Sequence, residues 1–210
     1  MTEFGKLTTT QKGDVGEAIV DELLKKKGFV IYKPDGKKAH AFDRLAVKNK
    51  ERLIIAEVKS KAQRKYYPDT GIDLRHYLEY KKISEKYNIA VILFFVDEEA
   101  GSIYGGKLNS LDEIGGFIIR GKEHIYPKIE KGLIYFHRDK MTTYAELKDE
   151  DIERLKSLTT RSSLMNTIAD SLSRIQKLVI EKREKATGDM RKVFTELKQA
   201  ESEAASFITD

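Results

Sequence analysis

The chain has 210 residues, which is enough for one domain with a substantial core and an appendage. It contains no cysteine, so disulfides, thiolate metal sites and cysteine nucleophiles are excluded. The net charge is +5, and the stretch from Leu24 to Tyr66 holds 14 lysines and arginines against 4 aspartates and glutamates. This local excess favours nucleic acid as a partner over an ordinary solvated surface.

No apolar run reaches the length of a membrane span, and residues 1–13 are polar, unlike a signal peptide. We therefore expect a cytoplasmic protein with no membrane association. The glycine-rich sequences that bind ATP phosphates or dinucleotides do not occur, so we expect no nucleotide cofactor.

The first predicted element is a helix from Gly13 to Lys27. Its apolar residues fall on one face, at Val15, Ala18, Ile19 and Leu23. Lysines in its last turn and Gly28 after it are typical of a helix end. Glu17 lies in the first turns, where the helix dipole favours any carboxylate, so a structural and a functional role are both open.

The next elements are three strands. Phe29–Tyr32 is short, and residues 41–47 and 52–59 flank a polar connection that is short enough for a hairpin. The second strand contains Asp43, and the third ends at Glu57 and Lys59, which share one face because side chains alternate along a strand. Folding the hairpin brings Asp43 beside Glu57. Two such carboxylates stay ionised together only around a cation, and hard oxygen ligands with water suit Mg²⁺.

A loop that mixes bases and aromatic residues follows Lys59. Lys61, Arg64 and Lys65 could contact phosphates, and Tyr66 could stack on an unpaired base; a plain surface loop is the alternative. A helix is then predicted from Asp73 to Tyr87. His76 and Tyr80 are one turn apart on one of its faces, and packing is as good an interpretation for them as DNA contact.

The rest of the first domain alternates strands and helices. Ala90–Val96 is a continuous apolar run typical of a buried strand. Further strands are predicted at 102–106, 117–120 and 133–137, the last two at a sheet edge, and a helix at 146–158. This order predicts an α/β fold with a mixed sheet.

The composition changes at Thr159, so we expect a domain at 1–158 and a helical tail at 159–210. Apolar residues recur every seven positions, at Met165, Leu172, Val179, Ala186, Val193, Ala200 and Phe207. These residues form one of the two apolar positions of the repeat, which together make the seam of a coiled coil. The second position is taken by Ile168 and Ile175 and later, shifted by one residue, by Met190, Leu197 and Ala204. This shift and Gly188 predict that the helix is broken or bent. The repeat favours a coiled coil, hence a homodimer, over a tail packed on its own domain.

Asp43 followed by Glu57-Val58-Lys59 resembles the core motif of the PD-(D/E)XK nuclease superfamily. Upstream, Gly16-Glu17 on a helix resembles the first helix of Holliday-junction resolvases and related members. The resemblance covers residues 12–108, and Phe42 replaces the proline that usually precedes the aspartate.

The resemblance implies a restriction-endonuclease-like mixed sheet flanked by helices and a metal-dependent DNA endonuclease, with branched or structured DNA as one candidate substrate. It implies that Mg²⁺ or Mn²⁺ is held by Asp43, Glu57 and the Val58 carbonyl, with help from Glu17, and that Lys59 acts on the water or phosphate. The pair His76 and Tyr80 matches the polar residue and tyrosine of some members only in part. The alternative is a nuclease-like module that binds DNA or a partner without cutting, and a plain salt-bridge cluster stays open for the charged residues.

Overall fold

The computed structural model describes residues 8–34, 42–49 and 52–206, so the first residue of the strand predicted at 41–47, part of the connection after it, and Phe207 lie outside it. The chain divides into two compact units, Met1–Arg161 and Ser162–Asp210. Each unit is described by itself below. No helix in the described ranges has both the length and the apolar character needed to cross a membrane.

A six-stranded mixed sheet forms the centre of the first unit, with strand order β1-β2-β3-β5-β6-β11. Its strands are β1 (Val30–Tyr32), β2 (Arg44–Lys48), β3 (Arg52–Ser60), β5 (Ala90–Asp97), β6 (Ser102–Lys107) and β11 (Thr142–Glu146). The two central strands, β3 and β5, run parallel, and their neighbours pair antiparallel. A parallel pair needs a crossover, and β4 (Asp69–Asp73) with helix α2 (Leu74–Tyr87) supplies it.

Helices cover both faces of this sheet. Ile54, Ala56 and Val58 of β3 face α1 (Thr8–Lys26) and the first turns of α4 (Asp149–Ser206). The alternate residue Ile55 faces α2 and the short α3 (Leu108–Leu111). The expected α/β class, with a mixed sheet flanked by helices, is confirmed.

The ends of α1 and α2 follow from their sequences. Helix α1 begins at Thr8, earlier than predicted, and ends at Lys26 with Gly28 at a φ of 82°. Asn88 ends α2 in the left-handed conformation, with a φ of 52°, which asparagine tolerates better than most residues.

Two smaller sheets lie beside the main one, and here the predicted edge position was wrong. Sheet β4-β10-β9 contains β9 (Lys128–Glu130) and β10 (Leu133–His137), and β7 (Gly115–Ile119) pairs with β8 (Lys122–Tyr126) alone. The outer strands of the main sheet are β1 and β11, and the sequence did not reveal β11. Strand β10 pairs with β4, more than 60 residues earlier, and no local pattern announces such a pairing.

The last helix is longer and more regular than expected. Helix α4 passes through Gly188 as one helical segment, so the predicted break is wrong. A glycine costs a helix only about 1 kcal/mol, which its many good helix formers outweigh. Beyond Arg161, the large apolar side chains that the structure describes are 45–57% exposed: Ile168, Leu172, Ile175, Leu178 and Ile180. The side chains of the other seam residues lie outside the description: Met165, Val179, Ala186, Met190, Val193, Leu197, Ala200 and Ala204.

Candidate metal and nucleic-acid site

The hairpin of β2 and β3 brings Asp43 to Glu57. Arg44 pairs with Ala56, so Asp43 lies one residue before β2, opposite Glu57, and not inside the strand as predicted. The backbone N–H of Val58 donates a hydrogen bond of 2.8 Å to Asp43 Oδ2. This bond fixes the Asp43 carboxylate at the end of β3 even though Asp43 itself is outside the ladder.

Charge is crowded at this point. Burial and the neighbouring Glu57 carboxylate raise the pKa of Asp43 from 3.8 to about 6. Glu57 is only 2% exposed, and Lys59 Nζ lies 2.5 Å from Glu57 Oε1. Burial opposes the charge on Lys59, but the carboxylates of Glu57 and Asp43 outweigh it and raise the pKa of Lys59. One ammonium therefore offsets part of the negative charge of two carboxylates.

Glu57 Oε2 is the unused atom of this group. It is buried and has no hydrogen-bond partner among the described residues. Such an oxygen costs free energy unless a donor or a cation meets it. Together with the raised pKa of Asp43, this oxygen fits a divalent cation between the two carboxylates, because a cation would satisfy the oxygen and relieve the repulsion.

Tyr80 of α2 lies against the same carboxylate. It is 3% exposed, and burial followed by the charge of Glu57 raises the pKa of its hydroxyl. The His76 ring lies 6.3 Å from the Tyr80 ring, and the buried His76 Nδ1 has no partner among the described residues. Tyr80 is thus a neighbour of the carboxylate pair, too deeply buried for the DNA contact that we had assigned to it.

Glu17 is held by an arginine. The buried Arg44 reaches α1, where its NH2 donates to Glu17 Oε2 at 2.8 Å and its Nε donates to Asp21 Oδ1 at 2.7 Å. Arg44 NH1 also donates to the Asp43 carbonyl at 2.7 Å. In the described part of the chain, no three acidic or imidazole groups are close enough to hold one metal ion. Glu17 therefore does not join Asp43 and Glu57 in one cluster, and it braces the segment that carries Asp43.

Arg64 has a structural environment. It makes a two-pronged pair with the fully buried Asp69, at 2.6 Å for both Nε and NH2, and a third contact of 3.3 Å with Glu130. Its guanidinium lies over the rings of Tyr67 and Tyr135, at 4.7 and 3.9 Å. With its donors turned to these partners, Arg64 joins the loop to the small sheet and is not presented to a phosphate.

Of the other basic residues predicted to contact DNA, Lys61 is partly buried and Lys65 is exposed. Lys61 Nζ donates to the Gly71 carbonyl at 3.2 Å, and burial, aided by the charges of Lys59 and Arg64, lowers the pKa of Lys61. Tyr66 is 58% exposed, and two exposed cations lie near its ring, Lys65 at 5.8 Å and Arg120 at 4.9 Å from the centroid. An exposed ring with cations beside it can stack on a base while the cations contact phosphates.

The roles of Arg44 and Arg120 were not predicted from the sequence. Arg44 had a signal: it interrupts an apolar strand, and Glu17 and Asp21 are four apart on α1, where they share a face. Arg120 had none, because it reaches Tyr66 only through the tertiary placement of the β7–β8 hairpin.

The chain is similar in structure to a known protein. No family model matches the chain, and no curated protein matches it. Among solved structures, the 1.6 Å structure of Hjc from Archaeoglobus fulgidus, a Holliday junction resolvase from an archaeal hyperthermophile, is similar with a TM-score of 0.43. The sequences are 11% identical over 61% of this chain and 90% of that chain.

Proposed function

We propose that this protein is a metal-dependent nuclease that hydrolyses phosphodiester bonds in DNA. The observation that carries the proposal is the pair of Asp43 and Glu57, in which one carboxyl has a pKa raised to about 6 and the other keeps a buried oxygen without a partner in the described chain. In a structural ion pair, each buried carboxylate oxygen normally has a donor or a cation beside it. Glu57 Oε2 has neither within the described chain.

Each residue of the pair's surroundings has a distinct role in this proposal. Asp43 and Glu57 hold Mg²⁺ or Mn²⁺ together with the Val58 carbonyl, and the bound cation supplies Lewis-acid chemistry to a water and the scissile phosphate. The Val58 N–H keeps Asp43 in place. Lys59 is 30% exposed in its side chain, so its ammonium can meet a phosphate oxygen or water while it is paired with Glu57.

The DNA would approach over the loop that follows Lys59. We assign phosphate contacts to Lys61, Lys65 and Arg120, and base stacking to Tyr66, whose exposed ring lies near the last two cations. Stacking on an exposed ring requires an unpaired base. Branched or partly single-stranded DNA is therefore the substrate that we propose over intact duplex.

One observation favours a second candidate, a module that binds DNA or a partner without cutting. Among the described residues, only Asp43 and Glu57 bring carboxylates to the site, because Glu17 is bound to Arg44. A two-carboxylate site leaves more of the metal's coordination to water and binds it less tightly. The Asp43 and Glu57 pair is present in both candidates, so activity separates them.

The experiment mixes the purified protein with supercoiled, linear and four-way branched DNA in Mg²⁺, Mn²⁺ or EDTA. We expect cleavage with metal only, its loss in Glu57→Gln, and retained cleavage in Glu85→Gln, a matched change on the exposed surface of α2. Binding without cleavage under every metal condition would favour the second candidate. Lys59→Ala should lower the single-turnover rate far more than DNA affinity; an equal fall in both would make Lys59 a phosphate anchor only.

We also propose that the second unit makes the protein a homodimer. Ile168, Leu172 and Ile175 follow coiled-coil spacing and are 45–56% exposed, so a single helix leaves this stripe in water. Pairing with a second copy buries it and presents two sites to a branched substrate. Light scattering should show a dimer that Leu172→Glu dissociates and Gln176→Glu does not; a full-length monomer would refute the assignment.

A further inference from the structure

A cavity of about 510 Å³ opens on the face of the main sheet that α1 covers. Its walls include the buried Leu24, Ile54 and Ile92. Ile54 and Glu57 belong to the same strand but point to opposite faces, because side chains alternate along β3. The cavity is thus separated from the carboxylate pair by the sheet itself, and a ligand in it would not touch the metal site.

The chemistry of the cavity combines planar apolar walls with a cationic rim. Phe29, Phe94 and Tyr144 contribute the aromatic surface, and the Phe94 and Tyr144 rings lie 5.1 Å apart at a tilt of 46°. Four cations line the same opening: Lys26, Lys27, Lys48 and Arg52. None of them takes part in an ion pair within the described ranges, and Lys48 Nζ instead lies 5.9 Å from the Phe29 ring.

Four cations around one opening repel one another, so this arrangement is stabilised by an anion that carries more than one charge. The aromatic walls select a planar apolar group attached to that anion. A cavity of 510 Å³ is within the range of roughly 300–1,000 Å³ that holds small ligands. An inorganic anion would leave the aromatic surface in water, and an uncharged ring would leave the cations unpaired.

We propose that this basic cavity binds a nucleotide, with the base against Phe29 and Tyr144 and the phosphate at Lys48 and Arg52. The nucleotide is either free or part of a single strand that continues around the protein. The site is separate from the proposed nuclease centre and does not depend on its activity.

The test uses 2-aminopurine, whose fluorescence is quenched on stacking, in EDTA so that no metal-dependent cleavage occurs. The probes are the 2-aminopurine deoxynucleoside monophosphate and a single-stranded oligonucleotide with one 2-aminopurine. The double variant Lys48→Ala/Arg52→Ala is compared with Lys82→Ala/Lys86→Ala, two exposed lysines of α2 outside the cavity. Both pairs remove two positive charges, so non-specific attraction falls equally.

We expect quenching with the wild type and an affinity about tenfold lower or worse in the cavity variant than in the control. Binding of the monophosphate would identify a free nucleotide, and quenching of the oligonucleotide alone would identify a strand. Tyr144→Leu should reduce quenching at saturation, which separates stacking from charge. Equal affinities in the two double variants, or inorganic phosphate that binds as tightly as the monophosphate, would overturn the proposal. The assay reads binding alone, in EDTA, so a failed nuclease assay does not affect this outcome.

Discussion

Replacement of Asp43 by asparagine should stabilise the protein while it abolishes cleavage. The carboxyl has a pKa of about 6 in the folded chain against an ordinary 3.8, so the folded state binds this proton more tightly than the unfolded state. Ionisation of Asp43 therefore does not affect the stability of the folded state below pH 3.8. Between pH 3.8 and 6 the free energy of unfolding falls as the pH rises, and above pH 6 the loss is complete. This difference in pKa lowers the free energy of unfolding by about 3 kcal/mol at neutral pH.

Asparagine removes the charge and keeps an oxygen that accepts the Val58 N–H bond. Allowing for imperfect relaxation, we expect Asp43→Asn to raise the free energy of unfolding by about 2 kcal/mol at pH 7.5 without metal, and to change it little at pH 3.5. Asp14→Asn, an exposed change on α1, should be near neutral at both pH values.

Denaturant titration followed by tyrosine fluorescence gives the measurement. All ten tyrosines precede residue 145, so the signal reports on the first unit only. Divalent metal should stabilise the wild type and not the variant, because the amide no longer holds the cation. A destabilised Asp43→Asn at pH 7.5, or a gain that is equal at pH 3.5, would refute the charge conflict between Asp43 and Glu57.

Three further predictions follow from the contacts around the site and the tail. Glu17→Gln should lower the free energy of unfolding by about 1–2 kcal/mol, because its bond to Arg44 is weakened, and should leave the cleavage rate within a few fold of the wild type. Unchanged stability with a cleavage rate reduced more than about 100-fold would make Glu17 a metal ligand. Gly105→Ala should lower the free energy of unfolding by more than about 2 kcal/mol, because its Cβ would overlap the Leu93 carbonyl. Gly13→Ala has open space around its Cβ and should raise the free energy of unfolding by up to about 1 kcal/mol. Equal effects of the two changes in denaturant titrations would contradict this placement. A chain ending after Arg161 keeps the Thr159–Glu98 hydrogen bond of 2.9 Å and should be a folded monomer by light scattering that still binds metal; a truncated dimer would show that the interface lies elsewhere.

The hairpin and the central strands could be predicted because their signals are local. Apolar runs, a short polar connection and the alternation of Glu57 and Lys59 determine strand, register and face together. The same short hairpin brought Asp43 beside Glu57 in the prediction, without any knowledge of the rest of the chain. Local patterns also located α1 and α2, although their ends differ from the prediction by up to five residues.

What the sequence did not reveal depends on distant pairing. Strand β4 looked like a loop because its partner, β10, is far along the chain, and that pairing also gives Asp69 its burial and makes it the partner of Arg64. Lysines and arginines look alike in a sequence whether they face solvent or a buried acid. Arg64 was therefore the residue whose role only the tertiary structure could separate from that of Lys65.

The most direct test of the account is the number of Mn²⁺ ions that the protein binds, measured by electron paramagnetic resonance at pH 7.5 in the absence of DNA. We expect one Mn²⁺ per chain in the wild type and in Glu85→Gln, and loss of that site in Glu57→Gln, because the proposed site uses the buried oxygen Glu57 Oε2 as a metal ligand. Equal Mn²⁺ binding by wild type and Glu57→Gln would contradict the claim that Asp43 and Glu57 hold the metal.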